Sequence, residues 1–115
     1  MVEDERTTRE GVQLFLEHSG FDVRTAGDAT RAISEARQWP PDVLVCDWRL
    51  GGLRDGVDVA REIQAAYGSA VIFITSHPLD ALKRNANDVS VRHFLSKPVP
   101  PTVLLEALKS VSPRV

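Results

Sequence analysis

Apolar and polar positions along the chain switch repeatedly between two periods. From Arg6 to His18, the residues Val12, Leu14, Phe15 and Leu16 cluster near helical spacing and Ser19-Gly20 ends the run, which predicts a first helix. Phe21 to Thr25 alternates as a half-buried strand does. Asp28 is placed to cap a second helix through Ala29, Ala32, Ile33 and Ala36, and Trp39-Pro40-Pro41 stops it, because proline cannot continue the hydrogen-bond ladder. Trp39 is expected to pack at that helix end. Val43 to Cys46 is apolar at every position, as in a strand covered by helices on both faces. Asp55-Gly56 opens a third helix carrying Val57, Val59, Ala60, Ile63 and Ala66, which Tyr67-Gly68-Ser69 closes. A strand Ala70 to Ile74, a weaker helix from about Leu79 to Ala86, a strand Val91 to Leu95 and a last helix Thr102 to Val111 complete the pattern.

Strands that alternate with helices through short connections form a parallel sheet, and the right-handed crossover rule puts helices on both faces. The expected fold is a single α/β domain over residues 1–115: a flavodoxin-like (βα)5 three-layer sandwich with five parallel strands, for which the order 2-1-3-4-5 is taken from known folds of that type and does not follow from the pattern. Only Met1-Val2 precede the acidic pair Glu3-Asp4, so the first strand, central in that order, is expected to be truncated, with upstream residues lying outside this sequence.

Composition adds exclusions. Hydrophobic residues make up 43% and charged residues 26% of 115, the balance of a globular domain. A formal net charge of −2 with no basic block argues against direct nucleic-acid binding. The single Cys46 lies inside an apolar run and reads as a small buried hydrophobe. No apolar stretch approaches the ~20 residues of a membrane span and the start is acidic, so a cytoplasmic setting is expected.

Each apolar run ends on a distinctive polar residue: Glu3-Asp4, Asp47, Thr75 and Lys97-Pro98. In a parallel sheet these meet beyond the carboxyl ends of the strands, where ligands of open α/β sheets bind. Three carboxylates so close need a counter-charge. A hard divalent cation such as Mg²⁺, held by carboxylates, a backbone carbonyl and a phosphate oxygen, supplies it together with Lys97. A carboxylate can attack phosphorus when positioned groups stabilise the transferring phosphoryl oxygens, so the chemistry suggested is phosphoryl transfer onto Asp47, with the Thr75 hydroxyl donating to a third oxygen.

At these residues the chain strongly resembles the response-regulator receiver domain of two-component signalling. The resemblance rests on Glu3-Asp4 in Val-Glu-Asp-Glu, Asp47 in Val-Leu-Val-Cys-Asp, Asp55-Gly56, Thr75-Ser76, and Phe94 three residues before Lys97-Pro98. It implies Asp47 as phosphoacceptor, Lys97 and Thr75 as its partners in the chemistry, Asp4, Asp47, Glu3 and the Arg49 backbone carbonyl around Mg²⁺ or Mn²⁺, Thr75 and Phe94 as a switch pair, and a cis bond before Pro98. It also implies that Arg49 and His77, two beyond the acceptor and two beyond the switch threonine, flank the path of the attacking water and tune the lifetime of the phosphorylated state. The implied protein is a signalling switch rather than an enzyme. Its partners would be a sensor histidine kinase or histidine phosphotransfer protein and a downstream protein or output domain, with homodimer formation through the face of the fourth helix, fifth strand and fifth helix.

This chain departs from the family pattern in having Glu3 where aspartate is more usual, and Leu50-Gly51-Gly52-Leu53-Arg54 in place of a Met-Pro turn. Two other functions remain open on the residues alone. One is a receiver-like interaction module that is not phosphorylated. The other is a flavodoxin-like cofactor binder, disfavoured because the turns after the strands carry carboxylates and lack a phosphate-cradling loop. His18, His77 and His93 show no metal-ligand spacing, and Trp48 is open between a surface loop side chain and a gate to the pocket.

Overall fold

A computed structural model of the chain describes residues 1–111; the last four residues of the expected domain lie outside the described residues. Helices α1 (Arg6–His18), α2 (Ala29–Gln38), α3 (Gly56–Tyr67), α4 (Leu79–Asn85) and α5 (Pro101–Val111) alternate with strands β1 (Val43–Asp47), β2 (Ala70–Thr75) and β3 (Val91–Ser96). The strands pair in parallel in the order β1-β2-β3.

Two of the five expected strands are reduced to single bridges. Val2 pairs in parallel with both Ala26 and Cys46. The Val2 amide donates to the Val45 carbonyl at 2.8 Å and the Asp47 amide to the Val2 carbonyl at 3.0 Å, while Glu3 N–H reaches Ala26 and Ala26 N–H reaches Met1 on the other side. The N-terminal stub thus occupies, in shortened form, the first strand's interior place in the expected order, between the segment at Ala26 and β1. Phe21 to Thr25 forms no ladder, contrary to its alternating pattern, because the neighbour it would pair with presents little more than Val2. The expected five-stranded ladder is therefore a three-stranded one flanked by these bridges.

Alternation along the strands builds two cores. Leu44, Cys46, Val71 and Phe73 face one side with Ala29, Ala32 and Ala36 of α2, Val57, Ala60 and Ile63 of α3 and Leu82 of α4. Val45, Ile72 and Ile74 face the other with Leu16 of α1 and Leu104, Ala107 and Leu108 of α5. Helices on both faces explain why β1 and β2 are apolar throughout. Trp39 does not pack at its helix end as expected. It is 56% exposed, with the Arg24 guanidinium carbon 4.7 Å from its ring centroid, so its ring is covered by a side chain from another segment more than by its own helix.

Candidate functional site at the carboxyl edge of the sheet

Asp47 ends β1, Thr75 ends β2, and Lys97 directly follows β3. Parallel pairing keeps these ends level: the Trp48 amide donates to the Ile74 carbonyl at 3.2 Å and the Lys97 amide to the Thr75 carbonyl at 2.8 Å. Glu3 and Asp4 arrive from the stub beside β1. The Lys97–Pro98 peptide bond is cis.

The side chains converge. Lys97 Nζ donates to Asp47 Oδ2 at 2.5 Å and to Glu3 Oε1 at 3.0 Å. Glu3 Oε2 accepts from the Glu5 amide at 3.1 Å. Glu3, Thr75 and Asp47 are buried, whereas Asp4 is exposed. Burial opposes charge on Glu3, but the Glu5 amide and the Lys97 ammonium outweigh it and hold that carboxyl below its ordinary value. Burial raises the Asp47 carboxyl, and the charges of Glu3 and Asp4 add to this against the pull of Lys97. Asp4 is raised by desolvation and by its bond to Glu3. Burial likewise works against the Lys97 charge, yet its bonds to Asp47 and Glu3 leave its basicity above the ordinary value. One ammonium does not neutralise three carboxylates.

Glu3, Asp4 and Asp47 each offer an oxygen within 4.8 Å of the others. All three are hard donors with one member open to solvent, a set that fits Mg²⁺ or Mn²⁺ and leaves room for retained waters. Gly51, at φ +73, turns the following loop close to Asp4 Oδ2. Arg49, in the same loop, is exposed and lays its guanidinium over the Trp48 ring.

Thr75 Oγ1 accepts from the His77 amide at 3.0 Å. Phe94, half-buried on β3, lies 6.1 Å from the buried ring of Phe73 at an interplanar angle of 25°, with Lys83 Nζ of α4 5.5 Å from its centroid. Trp48 is not a surface side chain. It is 2% exposed and belongs to the core of α2 and α3. His18 and His93 stand apart from the edge: His18 ends α1, and His93 bonds Ser110 across to α5.

A parallel α/β sandwich with an acidic triad, a lysine and a buried threonine at the carboxyl edge of its sheet defines a class of phosphoacceptor-type signalling domains. The family model described as "Response regulator receiver domain" matches residues 1–109, and the chain belongs to that family. It is 31% identical over 114 residues to the transcriptional activator protein ExaE of Pseudomonas putida, covering 96% of this chain and 53% of that one. It is 28% identical over 102 residues to the DNA-binding response regulator MtrA of Mycobacterium tuberculosis, covering 84% of this chain and 44% of that one. The signal receiver domain of a modulated diguanylate cyclase from Desulfovibrio desulfuricans superimposes with a TM-score of 0.85 at 30% identity, covering 96% of this chain and 88% of that chain. The chain spans about half the length of the curated relatives it matches.

Proposed function

We propose that Asp47 accepts a phosphoryl group from a phosphohistidine of a sensor kinase or phosphotransfer protein and that the chain works as the resulting switch. The observation that carries this reading is the convergence of Lys97 on both Asp47 and Glu3 at the edge where Asp4 and Thr75 also lie. An Asp47 carboxylate oxygen attacks phosphorus, the bond from phosphorus to the donor nitrogen breaks, and the leaving imidazole keeps the electron pair. Lys97 offsets charge on one phosphoryl oxygen, and the Thr75 hydroxyl is placed on the adjacent strand end to donate to another. Asp4, Asp47, Glu3 and the Arg49 carbonyl would hold a divalent cation, which when bound neutralises charge on the donor phosphate.

In this reading a phosphoryl group of about −1.5 to −2 charge draws the Thr75 hydroxyl inward, and Phe94 turns toward the space it leaves. The face of α4, β3 and α5 then differs between the two states and is offered to a downstream protein, an output domain or a second copy. Arg49 and His77 set the lifetime. Among the described residues no helix is long and apolar enough to cross a membrane, and in this reading the switch acts in the cytoplasm. The names of MtrA and ExaE point to output in transcription for those proteins, and DNA contact is not assigned to this segment.

Intact-mass analysis after incubation with acetyl phosphate tests the reading. One phosphoryl adduct that needs Mg²⁺ and is lost in Asp47→Asn is expected. Undiminished labelling of that variant would overturn the acceptor assignment, and no labelling of the wild type would favour an interaction module that is not phosphorylated.

A further inference from the structure

Trp48 follows Asp47 directly, yet it is buried. Its indole N–H donates to Asp55 Oδ2 at 3.2 Å, and Asp55 is itself fixed, because its Oδ1 accepts from the Val57 and Asp58 amides at the head of α3. The anchored ring holds two exposed groups. The Arg49 guanidinium carbon is 4.1 Å from an indole ring centroid, and the His77 ring meets the indole edge-on at 5.9 Å and 79°. Arg49 belongs to the loop after β1 and His77 to the loop after β2, so one buried side chain ties together the two loops that border Asp47 and Thr75.

We propose that Trp48 is a positioning residue for the lifetime of the Asp47 phosphate, holding Arg49 and His77 as a joined wall that narrows the approach of water. The inference rests on the acceptor reading above. Hydrolysis requires a water oxygen to attack phosphorus, the bond from phosphorus to the Asp47 oxygen to break with its electron pair returning to the carboxylate, and the water proton to pass to solvent. A guanidinium and an imidazole pinned against one indole reduce the orientations open to that water without touching the nucleophile.

The test labels the full chain with acetyl phosphate and Mg²⁺, removes the donor, and follows loss of the adduct by intact mass. Trp48→Leu and Arg49→Ala are each expected to hydrolyse roughly two- to five-fold faster, the factor that a cation–π contact at an exposed site corresponds to. Trp48→Phe, which keeps an aromatic face for Arg49, should restore most of the lifetime, and the Trp48→Leu/Arg49→Ala double variant should be no faster than the quicker single one. Rates in the double variant that multiply the two single effects, or an unchanged rate in Trp48→Leu, overturn the wall. Should the leucine substitution fail to fold, the Arg49→Ala, His77→Ala cycle reads the same wall: non-additive rates support it and multiplying rates overturn it. Absence of any adduct on the wild type overturns the acceptor reading and this inference with it, whereas a labelled protein with multiplying rates overturns the inference alone.

Discussion

An ideal β-carbon on Gly56 would lie 1.9 Å from the carbonyl oxygen of Asp47, far inside any contact a real side chain makes. The approach is fixed by the Gly56 amide, which donates to the Trp48 carbonyl at 2.6 Å, and by the Asp55 side chain capping α3 at the same point. The first turn of α3 is thereby pressed against the backbone of Asp47 and Trp48. Gly56→Ala must displace one or the other. A loss of stability of about 1–3 kcal/mol, the usual cost of overpacking, is expected, together with slower phosphoryl uptake by Asp47. Urea unfolding of the two proteins checks it, and an equal midpoint would show that the helix end yields freely.

The edge residues were legible because Asp47 and Thr75 each follow an unbroken apolar run, and parallel topology brings the ends of such runs together. What those runs could not show is how far the period of two continues. Leu44, Cys46, Trp48 and Leu50 all enter one core, so the alternation passes beyond Asp47 into what reads as a loop. Extending that count by two residues from Cys46 would have placed Trp48 inside. Trp39 was misleading for another reason: its partner Arg24 comes from a separate segment, and no local pattern links the two. Phe21 to Thr25 has the periodicity of a strand, but pairing is a property of two segments, and its neighbour contributes little beyond Val2.

Divalent cation should stabilise the folded chain. Glu3, Asp4 and Asp47 gather three carboxylates against one ammonium, and an ion that binds only this arrangement raises stability by RT ln(1 + [L]/Kd), about 2.7 kcal/mol at a hundred-fold excess over Kd. Thermal melts with and without Mg²⁺ should separate for the wild type and nearly coincide for Asp4→Asn. An unchanged Mg²⁺ shift in that variant would remove Asp4 from the ligand set.

Arg61 on α3 makes two contacts with Asp88, Nε to Oδ2 at 2.5 Å and Nη2 to Oδ1 at 3.1 Å, tying α3 to the segment after α4. The Arg61 guanidinium holds the Asp88 carboxyl below its ordinary value. A carboxyl depressed in the folded state contributes stability above its unfolded pKa, near ~3.9, and loses it as pH falls through the lower folded value. Asp88→Asn should therefore narrow the stability difference between neutral and acid pH. Both partners are exposed, so salt should weaken the effect. Parallel acid-unfolding profiles for the two proteins would show the pair to be inert.

The Thr75 hydroxyl now accepts from the His77 amide while lying fully buried, so drawing it toward a phosphoryl oxygen must cost that amide its partner. Phosphorylation should then speed hydrogen exchange at His77 and, through the space Thr75 leaves, shift the ring resonances of Phe94, which rests between Phe73 and Lys83. Thr75→Ala removes the acceptor in both states. That variant should take up phosphate at Asp47, show fast His77 exchange from the outset, and lose the Phe94 response. Phe94 resonances that move on phosphorylation of Thr75→Ala as they do in the wild type would mean that the signal reaches β3 by another route, of which Lys97, joined to the Thr75 carbonyl through its own amide, is the nearest on the structure.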